Sequence, residues 1–130
     1  MPKNAKDIRL SILILSIPTR FDIVKPLFDK LLKQIGDRVD VEVISLMDNK
    51  SLHIYEKRNA LLDIARGSHI AWLDDDDDVA DDYVQVITKA IEDNPFTDVI
   101  SFNQTCYLEG KKALVFAAIA NPTNDPVVWD

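Results

Sequence analysis

The chain has 130 residues, a length suited to one domain, with 47% hydrophobic and 28% charged side chains and little glycine or proline. That composition excludes a disordered or fibrous chain and leaves enough apolar material for a core. The formal net charge of −7, from 15 basic against 22 acidic residues, argues against nonspecific binding to nucleic acid or to an anionic membrane.

Lys3, Lys6 and Arg9 precede the apolar run Leu10 to Ile17. The run is too short to span a bilayer and has no small-residue cleavage site, so it reads as a strand buried on both faces. Pro18 ends it. Residues Phe21 to Ile35 carry Ile23, Val24, Leu27, Phe28, Leu31, Leu32 and Ile35 at helical spacing, with Gly36 at the C-cap position. Val39 to Met47 reads as a second strand, followed by the loop Asp48-Asn49-Lys50-Ser51. A second helix is predicted over Glu56 to Arg66, ended by Gly67, and a third strand over His69 to Leu73, with Trp72 as core packing.

Five consecutive aspartates, Asp74 to Asp78, then follow directly, and with Asp81 and Asp82 they place seven acids within nine positions. Asp82 to Glu92 reads as a third helix capped by Asp81. Val99 to Leu108 and Lys112 to Ile119 read as two strands of a hairpin joined through Glu109-Gly110, and 121–130 shows no clear periodicity. The single cysteine, Cys106, excludes an intrachain disulfide and favours a cytoplasmic setting. No linker-like tract divides the chain, so 1–130 is expected to form one domain, in a fold that would continue past Asp130.

Alternation of strand and helix with short links predicts right-handed βαβ units and a mostly parallel sheet. The loops after the first three strands then emerge on one edge, where open α/β sheets bind ligands. Closely spaced carboxylates repel by about 1 kcal/mol per pair even in water, and a hard divalent cation removes that cost. Cations near a carboxylate-bound metal make a site for a diphosphate. Neither glycine-rich phosphate loop is present, which weakens the dinucleotide and P-loop readings. Blander roles stand beside these. The Asp run can be a solvated loop that caps the next helix, Asp48 a turn residue, Thr19 an N-cap, and Arg20 a partner of Asp22 or another acid. Lys57 and Arg58 in a first helical turn oppose the helix dipole, which points to a nearby anion. His53 and His69 lack metal-ligand spacing.

The run from Tyr55 through Lys57-Arg58-Asn59, Ala65-Arg66-Gly67 and the apolar strand to Asp74-Asp75-Asp76-Asp77 resembles the core of family 2 glycosyltransferases. Ser11 to Arg20 resembles that family's first strand and loop, and Asp48-Asn49-Lys50-Ser51 its acidic loop; the likeness covers roughly residues 8 to 108. The resemblance implies a Rossmann-like GT-A domain with a mostly parallel, mixed sheet flanked by helices. It also implies transfer of a sugar from a nucleotide-diphosphate donor, UDP-linked, to an unknown acceptor with Mn²⁺ or Mg²⁺.

Residue by residue, the resemblance makes Asp48 a contact of the base and places Pro18, Thr19 and Arg20 in the nucleotide pocket. Arg58, with Lys57, would meet the base or diphosphate. Asp74-Asp75-Asp76 would be the Asp-x-Asp motif, with Asp74 near the ribose, Asp75 in the donor site and Asp76 on the metal; a shift of one or two positions stays open. Tyr55 stands where relatives often carry glycine. The family's catalytic base falls further along, so it is expected beyond Asp130. A noncatalytic nucleotide- or metal-binding module and a nucleotidyltransferase are the competing readings.

Overall fold

A computed structural model describes residues 8–101, together with the backbone of 104–108, 111–116 and 127–129. The chain divides into two compact units, Met1–Val84 and Gln85–Asp130. The first holds β1 (Leu10–Ser16), α1 (Phe21–Ile35), β2 (Val41–Met47), α2 (Ile54–Ile64) and β3 (His69–Asp74). Its sheet is wholly parallel, in the order β2-β1-β3, so the fold is α/β with a parallel sheet flanked by helices. Leu10 pairs with Val41 and His69, and Leu15 with Leu46 and Asp74.

β1 is central and its apolar residues Leu10, Ile12, Leu13 and Ile14 are almost wholly buried, as a strand covered on both faces requires. α1 adds Val24, Leu27, Leu31 and Ile35 to the core. It ends at Gly36, whose φ of 52° and N–H bond to the Leu32 carbonyl make the C-cap expected from its position. The chain reaches β2 through Asp40, whose carbonyl accepts from the Arg9 and Leu10 N–H groups while Arg9 and Arg38 bind its carboxylate. That turn delays the strand from Val39 to Val41.

α2 begins two residues before the position expected for it. His53 is its N-cap and Glu56 closes a capping box back onto the His53 N–H, so the apolar Ile54 and Tyr55 fall inside the helix. It also ends early, at Ile64. Glu42 on β2 takes the Arg66 N–H at 2.8 Å and the Arg66 guanidinium at 3.0 Å, drawing the chain out of helical geometry. Gly67 has a different role from the helix stop expected of it. A Cβ there would lie 2.7 Å from both the Ser11 N and Oγ atoms, so glycine lets the chain press against β1.

α3 (Tyr83–Asp93) runs one residue later than expected, and the Val84 N–H in its first turn donates to the Gln34 side chain. In the second unit, β4 (Val99–Ser101) pairs antiparallel with β7 (Val127–Trp129). β5 (Gln104–Leu108) pairs antiparallel with β6 (Lys111–Phe116), as the hairpin reading requires, with a register shift between Cys106 and Tyr107. The expected strand Val99 to Leu108 is thus two strands, and residues 102–103, 109–110 and 117–119 lie outside the described ones. β7 was not expected; its short Val-Val-Trp run has strong β preference but no room to show a period.

Candidate functional site

The strand order sets the place of the site. From β1 the chain moves through α1 to β2 on one side, then returns through α2 across β1 to β3 on the other. The reversal makes the carboxyl end of β1 the switch point at which open sheets leave a crevice. Ser16 ends β1 there, Pro18, Thr19 and Arg20 follow it, and the Asp run begins at the last residue of β3. Pro18–Arg20 forms a single 3-10 turn, with Pro18 and Thr19 exposed and Arg20 at its end.

Asp75 is the one aspartate of the run that is buried. Its carboxylate accepts from Arg20 Nε at 2.6 Å and Nη2 at 2.8 Å, a forked pair, and from Ser16 Oγ at 2.9 Å. The Arg20 guanidinium is the main cause holding Asp75 below its ordinary carboxylate range, against the opposing effect of burial. Arg20 therefore has neither Asp22 nor a stray surface acid as its fork partner. Two residues expected to meet a ligand separately are bonded to each other.

Asp74, Asp76 and Asp77 are exposed, and one carboxylate oxygen from each lies within 4.8 Å of the others. A tight turn shapes the group: the Asp77 N–H donates to the Asp74 carbonyl, and the Asp74 N–H to Asp77 Oδ2 at 2.8 Å. Although the residue is exposed, partial withdrawal of its carboxyl from water is the first cause raising the Asp77 pKa; the Asp74 N–H bond opposes it, and the charges of Asp74, Asp76 and Asp75 raise it further. Asp78 leaves this group for Lys30 on α1, at 3.1 Å, and Lys30 also faces Asp81. The family resemblance assigns Asp77 no role of its own beyond the open register of the motif, and assigns none to Ser16. A serine at the carboxyl end of a largely apolar strand is the signal for the latter.

Asp48 and Lys57 form a second pair. Lys57 Nζ lies 2.7 Å from Asp48 Oδ1 and donates to the Ser16 carbonyl at 2.8 Å. Asp48 Oδ2 takes the Leu52 N–H at 2.8 Å and the Ser51 hydroxyl at 3.1 Å, so the turn role foreseen for Asp48 is present. Lys57, followed by these backbone and hydroxyl donors, lowers the Asp48 pKa to about 2. The anion expected near the first turn of α2 is thus internal for Lys57, which is buried.

Arg58 stands apart from that pair. It is exposed, with its guanidinium carbon 5.8 Å from the centre of the Trp72 ring. Trp72 is 41% exposed and is not the core residue expected, because on β3, an outer strand of the three-stranded order, Ile70, Trp72 and Asp74 share one open face. With His53, Tyr55, Asn59 and Leu62, Arg58 and Trp72 line an open cleft of about 890 Å³. His53 stacks on Tyr55 at 5.6 Å.

The parallel sheet, its flanking helices and the acidic loops at one sheet edge define an α/β domain of the kind found in the N-terminal portion of GT-A folds. Residues 22–114 match the model of glycosyl transferase family 2, and the chain belongs to that family. No curated protein and no solved structure matches it. Among the described residues, no helix is long and apolar enough to cross a membrane.

Proposed function

We propose that the chain binds a nucleotide-diphosphate sugar, with UDP as the nucleotide, together with Mn²⁺ or Mg²⁺, as the donor for transfer to an acceptor hydroxyl. One observation carries this reading. In a family 2 glycosyltransferase chain, the Asp74, Asp76 and Asp77 carboxylates converge within 4.8 Å beside the switch point. Hard oxygen donors at that spacing suit a hard divalent cation. When bound, such a metal supplies Lewis-acid stabilisation of the charge that develops on a leaving diphosphate.

In this reading Asp76 is the central ligand, Asp74 also faces the ribose, and Asp77 completes the set. Pro18, Thr19 and the outer edge of Arg20 line the nucleotide pocket. Arg58 offers an exposed cation to the diphosphate. Asp48 and Lys57 bound the base end as a fixed pair, and Asp75 holds Arg20 in place. The acidic edge and the absence of a basic glycine-rich loop after β1 favour this reading over nucleotidyl transfer.

Titration calorimetry with UDP and MnCl₂ tests the proposal. Binding that requires Mn²⁺ and is lost in Asp76→Ala is expected. Binding indifferent to metal, or unchanged in that variant, would overturn it. Hydrolysis of a UDP-sugar by the same preparation separates an enzyme from a binding module.

A further inference from the structure

We propose that Ser16 and Arg20 form a register lock, which selects Asp75 out of five identical neighbours for the buried position and so turns Asp74, Asp76 and Asp77 outward together. The β1–β3 ladder pins the backbone only as far as Asp74, opposite Leu15. Beyond it the side chains of Asp75 to Asp78 are chemically the same, and neither apolar pattern nor shape tells one from the next. Lys30 reaches Asp78 only at the exposed end of the run, whereas Asp75 meets a forked guanidinium and a buried hydroxyl together.

Ser16 is 4% exposed and its hydroxyl reaches Asp75 Oδ2 at 2.9 Å. Arg20 grips both oxygens at 2.6 and 2.8 Å. These donors occupy both Asp75 oxygens from inside the protein, which removes Asp75 from competition for a cation. The lock is itself anchored. The Ser16 carbonyl accepts from Lys57 Nζ at 2.8 Å, and Lys57 is paired with Asp48 at 2.7 Å. Ser16 therefore ties the ends of β1 and β2, the first turn of α2 and the loop after β3 to one point. It is a positioning residue. The inference relies on the proposed function only for the use made of the outward cluster.

Two arms test it. In metal-free protein, hydrogen exchange is followed at the Asp74 and Asp77 amides, which close the turn after β3. Loss of one charge-assisted bond should speed both by about fivefold or more in S16A and in R20K, with the β1–β2 amides unchanged. Unchanged exchange at Asp74 and Asp77 in both variants overturns the lock; if S16A fails to fold, R20K decides alone. The second arm measures Mn²⁺ affinity across single Asp→Asn changes at 74 to 78. In the wild-type background, D74N, D76N and D77N should each weaken binding by about tenfold and D78N hardly at all. In the S16A background these differences should collapse, because neighbouring aspartates substitute for one another; an unaltered pattern there also overturns the lock. If the wild-type chain binds no Mn²⁺, the metal reading fails by itself and the exchange arm still decides the lock.

Discussion

Asp75 and Asp77 are identical side chains two positions apart, and their surroundings drive them in opposite directions. Arg20 holds Asp75 down, whereas loss of water and three neighbouring carboxylates push Asp77 up. A carboxyl group raised in the folded state costs stability wherever it is ionised, above the ordinary carboxylate range. Asp77→Asn removes that cost and keeps an oxygen for the Asp74 N–H. Its metal-free melting temperature at pH 7 should therefore rise by roughly 2 °C, while Mn²⁺ affinity falls. Calorimetric scans with and without MnCl₂ check both signs, and a lower metal-free melting temperature would contradict the account. Asp48 has the opposite sign. Its pKa of about 2 lies below the unfolded value near 3.9, so its stabilising effect is complete above about pH 4 and is lost as pH falls toward about 2. Asp48→Asn should lower the melting temperature at pH 7 and flatten its decline across that acid window. Equal acid profiles for the two proteins would count against the Asp48–Lys57 pair.

At the scale of elements, the sequence was legible where apolar periodicity spoke and silent where single polar contacts decided. Alternating and continuous apolar runs located β1, α1, β2, α2 and β3 in order. Their ends were set by side chains remote in sequence: Glu42 pulling on Arg66, His53 and Glu56 closing a capping box, Asp40 drawing in Arg9 and Arg38. No periodicity reports such partners. Trp72 misled for a related reason, since an apolar residue in a strand reads as core until the strand proves to lie at an edge of the described sheet with one face open. Gly67 shows the same limit. Its position suggested a helix stop, yet the physical demand is close approach to Ser11, whose hydroxyl accepts the Gly67 N–H at 2.8 Å. Gly67→Ala must displace backbone atoms of β1 and should destabilise the protein by about 2 kcal/mol or more in urea unfolding. A loss below about 0.5 kcal/mol would mean that the contact relaxes freely.

Across the whole molecule, chain order alone foretold that three loops meet at one edge, because right-handed βαβ units allow little else. It did not foretell that the expected ligand-binding residues would be bonded in pairs. Arg20 with Asp75 and Lys57 with Asp48 are joined through Ser16, a residue that carries no charge. The consequence is that charge is already balanced beneath the site, while Asp74, Asp76 and Asp77 hold unbalanced charge at its surface. A cation taken up there should stabilise the fold by mass action, by about 2.7 kcal/mol at a concentration one hundred times its Kd. All of these residues belong to the Met1–Val84 unit. Added protection from hydrogen exchange on Mn²⁺ addition should therefore concentrate within residues 8–84 and be weak in 85–101. It should also shrink between pH 7 and pH 5, since protons compete with the cation for carboxylates and Asp77 is held above its ordinary range. Protection spread evenly over both units, or of equal size at the two pH values, would show that Mn²⁺ acts somewhere other than this cluster.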